Sequence, residues 1–193
     1  MIVNLNEKIK EIINTPSDIN EHIQTILEYA KKCDHITEMG VRGIISTWGW
    51  LAGNPKKLIA YDIQDPSTWG SSIRDVEDTA KSIGTNFKFH LANVLDIDIE
   101  ETDLLFIDTW HSYKQLTAEL KLHASKVRKY ICFHDTTSYA ENDETSYEIW
   151  GSEWKAEGIG IWRAIEEFLE SNPEWELDIR FTNNNGFTII KKK

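Results

Sequence analysis

Two short runs of this chain bring together side chains that can do chemistry. Asp108-Thr109-Trp110-His111 follows the apolar stretch Leu104–Ile107, and His134-Asp135-Thr136 follows Tyr130–Phe133. Continuous apolar runs of this length are what strands covered on both faces of a parallel sheet require. If the two strands are neighbours, Asp108, His111, His134 and Asp135 converge at one end of the sheet. Two carboxylates and two imidazoles in one cleft are an acid–base set or a metal site, a two-histidine, one-carboxylate iron centre included. Taken singly, each has a bland reading: aspartates after strands cap loops, and His111 immediately precedes the helix-capping Ser112. Their adjacency is what favours function.

A second set follows three earlier strands. Glu38-Met39-Gly40-Val41-Arg42-Gly43 leads into a helix carrying Ser46, Asp62 closes the next strand, and Asn93 and Asp96 lie after the third. Glycines let a backbone approach a ligand closely, and a helix N-terminus offers unpaired N–H groups to an anion. An acid after the second strand can accept from ribose hydroxyls, and Asn93 or Asp96 can read an adenine edge. A dinucleotide fingerprint needs a further glycine where Arg42 stands, which disfavours NAD or FAD.

These positions demand a scaffold of alternating strands and helices. Two helices occupy the first thirty residues, the second opened by Thr15, Pro16 and Asp18 and faced by Ile19, Ile23, Ile26, Leu27 and Ala30. Strands are expected at His35–Met39, Leu58–Ile63, Phe87–Leu91, Leu104–Ile107 and Tyr130–Phe133. A helix covers Ser71–Ile83, and a Ser112/Gln115 capping box opens another whose apolar face is Tyr113, Leu116, Leu120, Ala124 and Val127. Trp175, Leu177, Ile179 and Phe181 alternate, Asn183-Asn184-Asn185-Gly186 turns the chain, and Phe187 to Ile190 return as a β-hairpin. The fold class is therefore α/β: a doubly wound, Rossmann-like sheet closed by a C-terminal antiparallel hairpin and preceded by N-terminal helices. Residues 1–193 read as one domain, with 1–34 a helical extension and 35–193 the core. The segment between Thr137 and Gly158 is rich in acids and aromatics; Tyr147, Trp150 and Trp154 at helical spacing suggest an amphipathic lid helix over the cleft. Trp48, Trp50 and Trp69 either flank the pocket or pack, and at least two are assigned to packing.

Composition narrows the partners. Twenty-one Lys and Arg against 32 Asp and Glu in 193 residues give a net charge of −11, which repels phosphate backbones and argues against nucleic acid. Two cysteines are too few for a disulfide framework and suit a reducing, cytoplasmic setting. No apolar run approaches the ~20 residues of a membrane helix, and no signal peptide is visible. The partner expected is a small molecule, and a homo-oligomer is compatible with the sequence.

Glu38-x-Gly40-x-x-Gly43, Asp62, Asp108-x-x-His111-x-Tyr113, His134-Asp135-Thr136 and the closing hairpin together resemble class I S-adenosylmethionine-dependent methyltransferases. The likeness is greatest to the branch of macrolide and aminocoumarin sugar O-methyltransferases and cephalosporin-hydroxylase-like proteins. It covers roughly residues 35–190 and implies a seven-stranded sheet with S-adenosylmethionine over the first three strand ends. Glu38 would lie near the methionine ammonium, Asp62 on the ribose and Asn93 near the adenine, with Gly40, Gly43 and Ser46 forming the loop. It further implies a divalent cation, magnesium or manganese, held by Asp108, Asp135 and His134, with His111 as base and Asp108 beside it. Trp110 stands where that branch commonly has a second acid. The expected activity is O-methyl transfer to a small hydroxylated acceptor, a sugar or glycosylated metabolite. The alternatives are an NAD(P)-dependent oxidoreductase and a non-catalytic cofactor-binding protein of the same fold.

Overall fold

The computed structural model describes residues 1–146 and 156–193. Seven strands form one sheet in the order β3-β2-β1-β4-β5-β7-β6. The strands are β1 (His35–Met39), β2 (Lys57–Asp62), β3 (Asn86–Leu91), β4 (Thr102–Ile107), β5 (Val127–His134), β6 (Trp175–Phe181) and β7 (Phe187–Lys192). The first five pair in parallel, while β7 runs antiparallel to both β5 and β6. The order reverses at β1, so the crevice between the ends of β1 and β4 is where such sheets bind ligands.

Alternation along the strands builds two cores. Ile36, Leu58, Leu104, Phe106, Cys132 and Ile189 face one side, beneath α1 (Leu5–Asn14), α2 (Ile23–Ala30), α3 (Ile45–Ala52) and α4 (Ile73–Ile83). Met39, Ile59, Leu105, Ile107, Ile131 and Phe133 face the other, beneath α5 (Tyr113–His123) and α6 (Ile161–Ser171). Burial of both faces explains the unbroken apolar runs of β4 and β5, and each fully buried Leu, Ile or Phe contributes about 1.5–3 kcal/mol. Among the described residues no helix is long and apolar enough to cross a membrane.

Three local expectations are corrected. Thr15 does not open a helix: its N–H bonds Ile12 O at 3.2 Å and its hydroxyl bonds Glu11 O, so it closes α1, whose start is capped by Asn4. The second helix begins only at Ile23, after a single 3₁₀ turn over Asn20–His22. Val127 belongs to β5 rather than to the helix face before it, because α5 ends at His123. Ser112 does cap α5 through Gln115 N–H, but the Gln115 side chain turns to Glu119 (2.8 Å), so the capping box is only half made. Trp48 and Trp50 are buried; Trp69 is exposed, with the Arg42 guanidinium 4.8 Å from its ring. Tyr147, Trp150 and Trp154 lie outside the described residues.

Candidate active site at the carboxyl ends of the strands

Strand register assembles the reacting end. β4 and β5 pair Phe106 with Cys132 and Ile107 with Phe133, so the next step along both strands sets Asp108 beside His134. Both share the parity of Phe106 and Cys132, whose side chains belong to the core under the N-terminal helices. Asp135 takes a left-handed φ of 58° at the strand end, a conformation that aspartate tolerates better than most residues. His111 then arrives from the turn before α5.

The four side chains meet. His111 Nε2 is 3.1 Å from Asp108 Oδ1 and 3.1 Å from Asp135 Oδ2. His134 Nδ1 is 3.4 Å from Asp108 Oδ1 and 3.2 Å from Asp135 Oδ2, while its Nε2–H donates to Asp18 C=O at 3.0 Å. Burial alone would lower both imidazoles. For His111 the hydrogen bonds to Asp108 and Glu144 outweigh it and raise the pKa to about 10. For His134 the charge of Asp108 does most to raise it to about 11. Burial likewise pushes the Asp108 carboxyl up, but the charge of His134 and the His111 hydrogen bond hold it below the usual carboxylate range. Without a cation the cluster is therefore carboxylates compensated by two imidazolium rings.

Asp108, His111 and Asp135 each offer a ligand atom, all within 4.8 Å of one another, and so form a set able to hold a metal ion. His111 is the third member of that set; His134, expected from sequence in that place, also brings Nδ1 to the same two carboxylate oxygens, while its other nitrogen faces Asp18 C=O. His111 stacks on Tyr139 at 5.0 Å between ring centroids and 3° between planes, which fixes the imidazole plane. Behind it, buried Glu119 accepts from Thr109 Oγ1 (2.6 Å) and Gln115 Nε2 on one oxygen, leaving Oε2 without a partner. Burial raises Glu119 to about 7. Neither Glu119 nor Glu144 was singled out by spacing, since one sits on a helix and the other in an acid-rich segment.

The other end of the crevice is built around Gly40 and Asp62. Asp62 Oδ2 accepts the N–H groups of Val41 (2.7 Å) and Arg42 (2.8 Å), and Oδ1 accepts that of Gln64. The acid expected to receive two ribose hydroxyls thus already holds the loop after β1, which carries positive φ at Gly40, Arg42 and Ile44. A buried β-branched residue at positive φ is a real outlier, and strain of this kind gathers at ligand-binding turns. Gly43 has open space where a Cβ would stand. Glu38 is wholly buried, its two oxygens taken by Ser46 Oγ (2.6 Å) and Thr47 Oγ1 (2.7 Å). It braces the loop from behind, and burial raises its pKa to about 8. Asn93 is exposed; it caps a short turn through Leu95 N–H and donates to Asp96 Oδ2 at 3.0 Å.

No protein-family model matches the chain, and no curated protein is similar to it in sequence. Solved structures are similar in fold. The S-adenosylhomocysteine-bound methyltransferase PaMTH1 of Podospora anserina matches at TM-score 0.61 and 15% identity, over 98% of this chain and 87% of that one. An O-methyltransferase from Bacillus cereus, also with S-adenosylhomocysteine, matches at TM-score 0.59 and 14% identity, over 98% and 90%. The N-methyltransferase NodS of Bradyrhizobium japonicum with the same product matches at TM-score 0.55 and 11% identity, over 98% and 99%. Oxygen and nitrogen methylation thus share this architecture, and the acceptor must be argued from the site itself. The chain has the Rossmann-like fold of class I S-adenosylmethionine-dependent methyltransferases.

Proposed function

We propose that this protein transfers a methyl group from S-adenosylmethionine to a hydroxyl oxygen of a small acceptor, a sugar or glycosylated metabolite, with the help of a divalent cation. The observation that carries this reading is the convergence of Asp108, His111 and Asp135 at the ends of β4 and β5, next to the β1–β4 switch point of a methyltransferase fold. S-adenosylmethionine supplies an electrophilic methyl on a positively charged sulfur. The residues over β1 to β3 suit its adenosine: Asp62 keeps one lone pair of Oδ1 for a ribose hydroxyl, and Gly43 leaves room for close approach. Asn93 and Asp96 stand at the third strand end for the adenine, while Glu38 and Ser46 shape the loop from inside.

Methyl transfer is an in-line displacement, so the acceptor oxygen must be held opposite the sulfur and made alkoxide-like. A free His111 is poorly suited to take that proton near neutral pH, because its carboxylate partners keep it protonated. A cation at this centre supplies Lewis acidity that lowers the acceptor's pKa. Asp108 and Asp135 would hold it with hard oxygen ligands suited to magnesium, and the imidazole of His111 extends the choice to manganese. His134 keeps its Nδ1–H on the two carboxylates and its Nε2–H on Asp18, orienting both aspartates from the N-terminal side. Buried, unpaired Cys33 and Cys132 suit the reducing cytoplasm.

The test is formation of S-adenosylhomocysteine from S-adenosylmethionine in the presence of hydroxylated sugars, with and without manganese. Turnover that requires the cation and is lost in Asp135→Ala supports the reading. Turnover unchanged by exhaustive chelation would overturn the cation's part.

A further inference from the structure

Glu144 follows β5 by ten residues and reaches back to the end of β4. Its Oε2 is 2.9 Å from His111 Nδ1, on the ring edge opposite the nitrogen that faces Asp108 and Asp135. The backbone ties the same pair together, Glu144 N–H donating to His111 C=O at 2.8 Å, and the Trp110 indole N–H holds Glu144 C=O at 2.9 Å. Ser146 Oγ–H donates to the second carboxylate oxygen. The neighbouring Asp143 is buried and accepts the N–H groups of Tyr113, Glu157, Gly158 and Gly160, which pins the chain on both sides of Glu144 to the start of α5. With 13% of its side chain exposed, Glu144 is held where it is.

An imidazole ligand gives one nitrogen to a metal and must carry its proton on the other. Which nitrogen does which is decided by the group bonded to the far side. We propose that Glu144 is the positioning residue of the candidate metal centre: its carboxylate accepts from His111 Nδ1–H, so that when the ring ligates a cation the proton stays on Nδ1 and the Nε2 lone pair points between Asp108 and Asp135. This rests on the reading of His111 as a ligand. Tyr139 sets the plane of the ring, but a stacked ring can still turn within that plane; the hydrogen bond to Glu144 sets the rotation.

The probe is manganese alone, followed by electron paramagnetic resonance of the free ion. Glu144→Ala is expected to weaken manganese binding by about 10–100-fold. Glu144→Gln, whose amide oxygen can still accept from Nδ1–H, is expected to keep most of the affinity, and S-adenosylhomocysteine affinity should be unchanged in both. Equal manganese affinity in Glu144→Ala and the parent would overturn the assignment. Should Glu144→Ala not fold, Glu144→Asp, one methylene too short, carries the same expectation. If the parent takes up no manganese, the metal reading fails by itself. The positioning claim is then decided on the metal-free protein by the exchange-protected His111 Nδ1–H resonance. That signal should persist in the parent and in Glu144→Gln and vanish in the truncated variant; persistence in all three would overturn it.

Discussion

A Cβ placed on Gly40 would stand 1.8 Å from the carbonyl oxygen of Asp108. The turn after β1 and the carboxylate-bearing end of β4 are thus in backbone contact, reinforced by Asp108 N–H donating to Met39 O at 2.8 Å. Gly40 also has a φ of 84°, so any side chain there is strained twice over. Gly40→Ala should lower stability by about 2–4 kcal/mol. Gly43→Ala has open space and no unusual φ, and should change stability by less than about 1 kcal/mol while weakening S-adenosylhomocysteine binding. Denaturant unfolding and calorimetry on the two variants check the contrast; equal loss of stability in both would contradict it.

Asp62 serves the loop as well as any ligand. Removing its carboxylate leaves the N–H groups of Val41, Arg42 and Gln64 to find water. Asp62→Ala should therefore lower stability by about 1–2 kcal/mol and reduce S-adenosylhomocysteine affinity at least about tenfold. A variant with weakened binding and unaltered unfolding would show that the carboxylate acts on the ribose alone.

Glu38 makes stability depend on pH in a defined direction. Burial, only partly offset by the Ser46 and Thr47 hydroxyls, raises its pKa from the ordinary 4.5 to about 8. Between those values the folded chain keeps a proton that the unfolded chain releases, so the associated stability is complete below pH 4.5 and fades as pH climbs to 8. Glu119, raised to about 7, acts with the same sign. Glu38→Gln should flatten the fall in urea midpoint between pH 5 and 8 without abolishing it. An identical slope in the variant would mean that Glu38 is not a buried neutral acid.

The strands and the hairpin were legible because their physics is local: period-two alternation, apolar runs and an Asn-rich turn ending in Gly186. Asp108, His111, His134 and Asp135 were legible because strand ends concentrate ligands in a doubly wound sheet. The partner of each was not. His111 joins Asp108 and Asp135 because α5 begins close enough to turn its ring onto both aspartates, beside the expected His134. Within the acid- and aromatic-rich segment expected as a lid, nothing set Asp143 and Glu144 apart, because their partners lie some thirty residues back, beyond any helical or strand period. Thr15 carried the residue types of a helix start, but its hydroxyl bonds back to Glu11 O and the chain closes instead. Local preference and tertiary outcome part company at such junctions.

The proposed metal centre is tested by Asp135→Ala, which should abolish manganese binding and leave S-adenosylhomocysteine affinity within about twofold, because Asp135 lies at the end of β5 and the proposed adenosine site lies over β1 to β3. Loss of both affinities together would point to one shared site or to misfolding, which circular dichroism separates.

The most direct measurement is titration calorimetry of the purified protein with S-adenosylhomocysteine and, separately, with NAD⁺. Saturable one-to-one binding of S-adenosylhomocysteine, abolished or strongly weakened by Asp62→Ala, is the expected result, with no heat from NAD⁺ because Arg42 occupies the position where a dinucleotide needs glycine. Binding of NAD⁺ with no response to S-adenosylhomocysteine would contradict the methyltransferase reading outright.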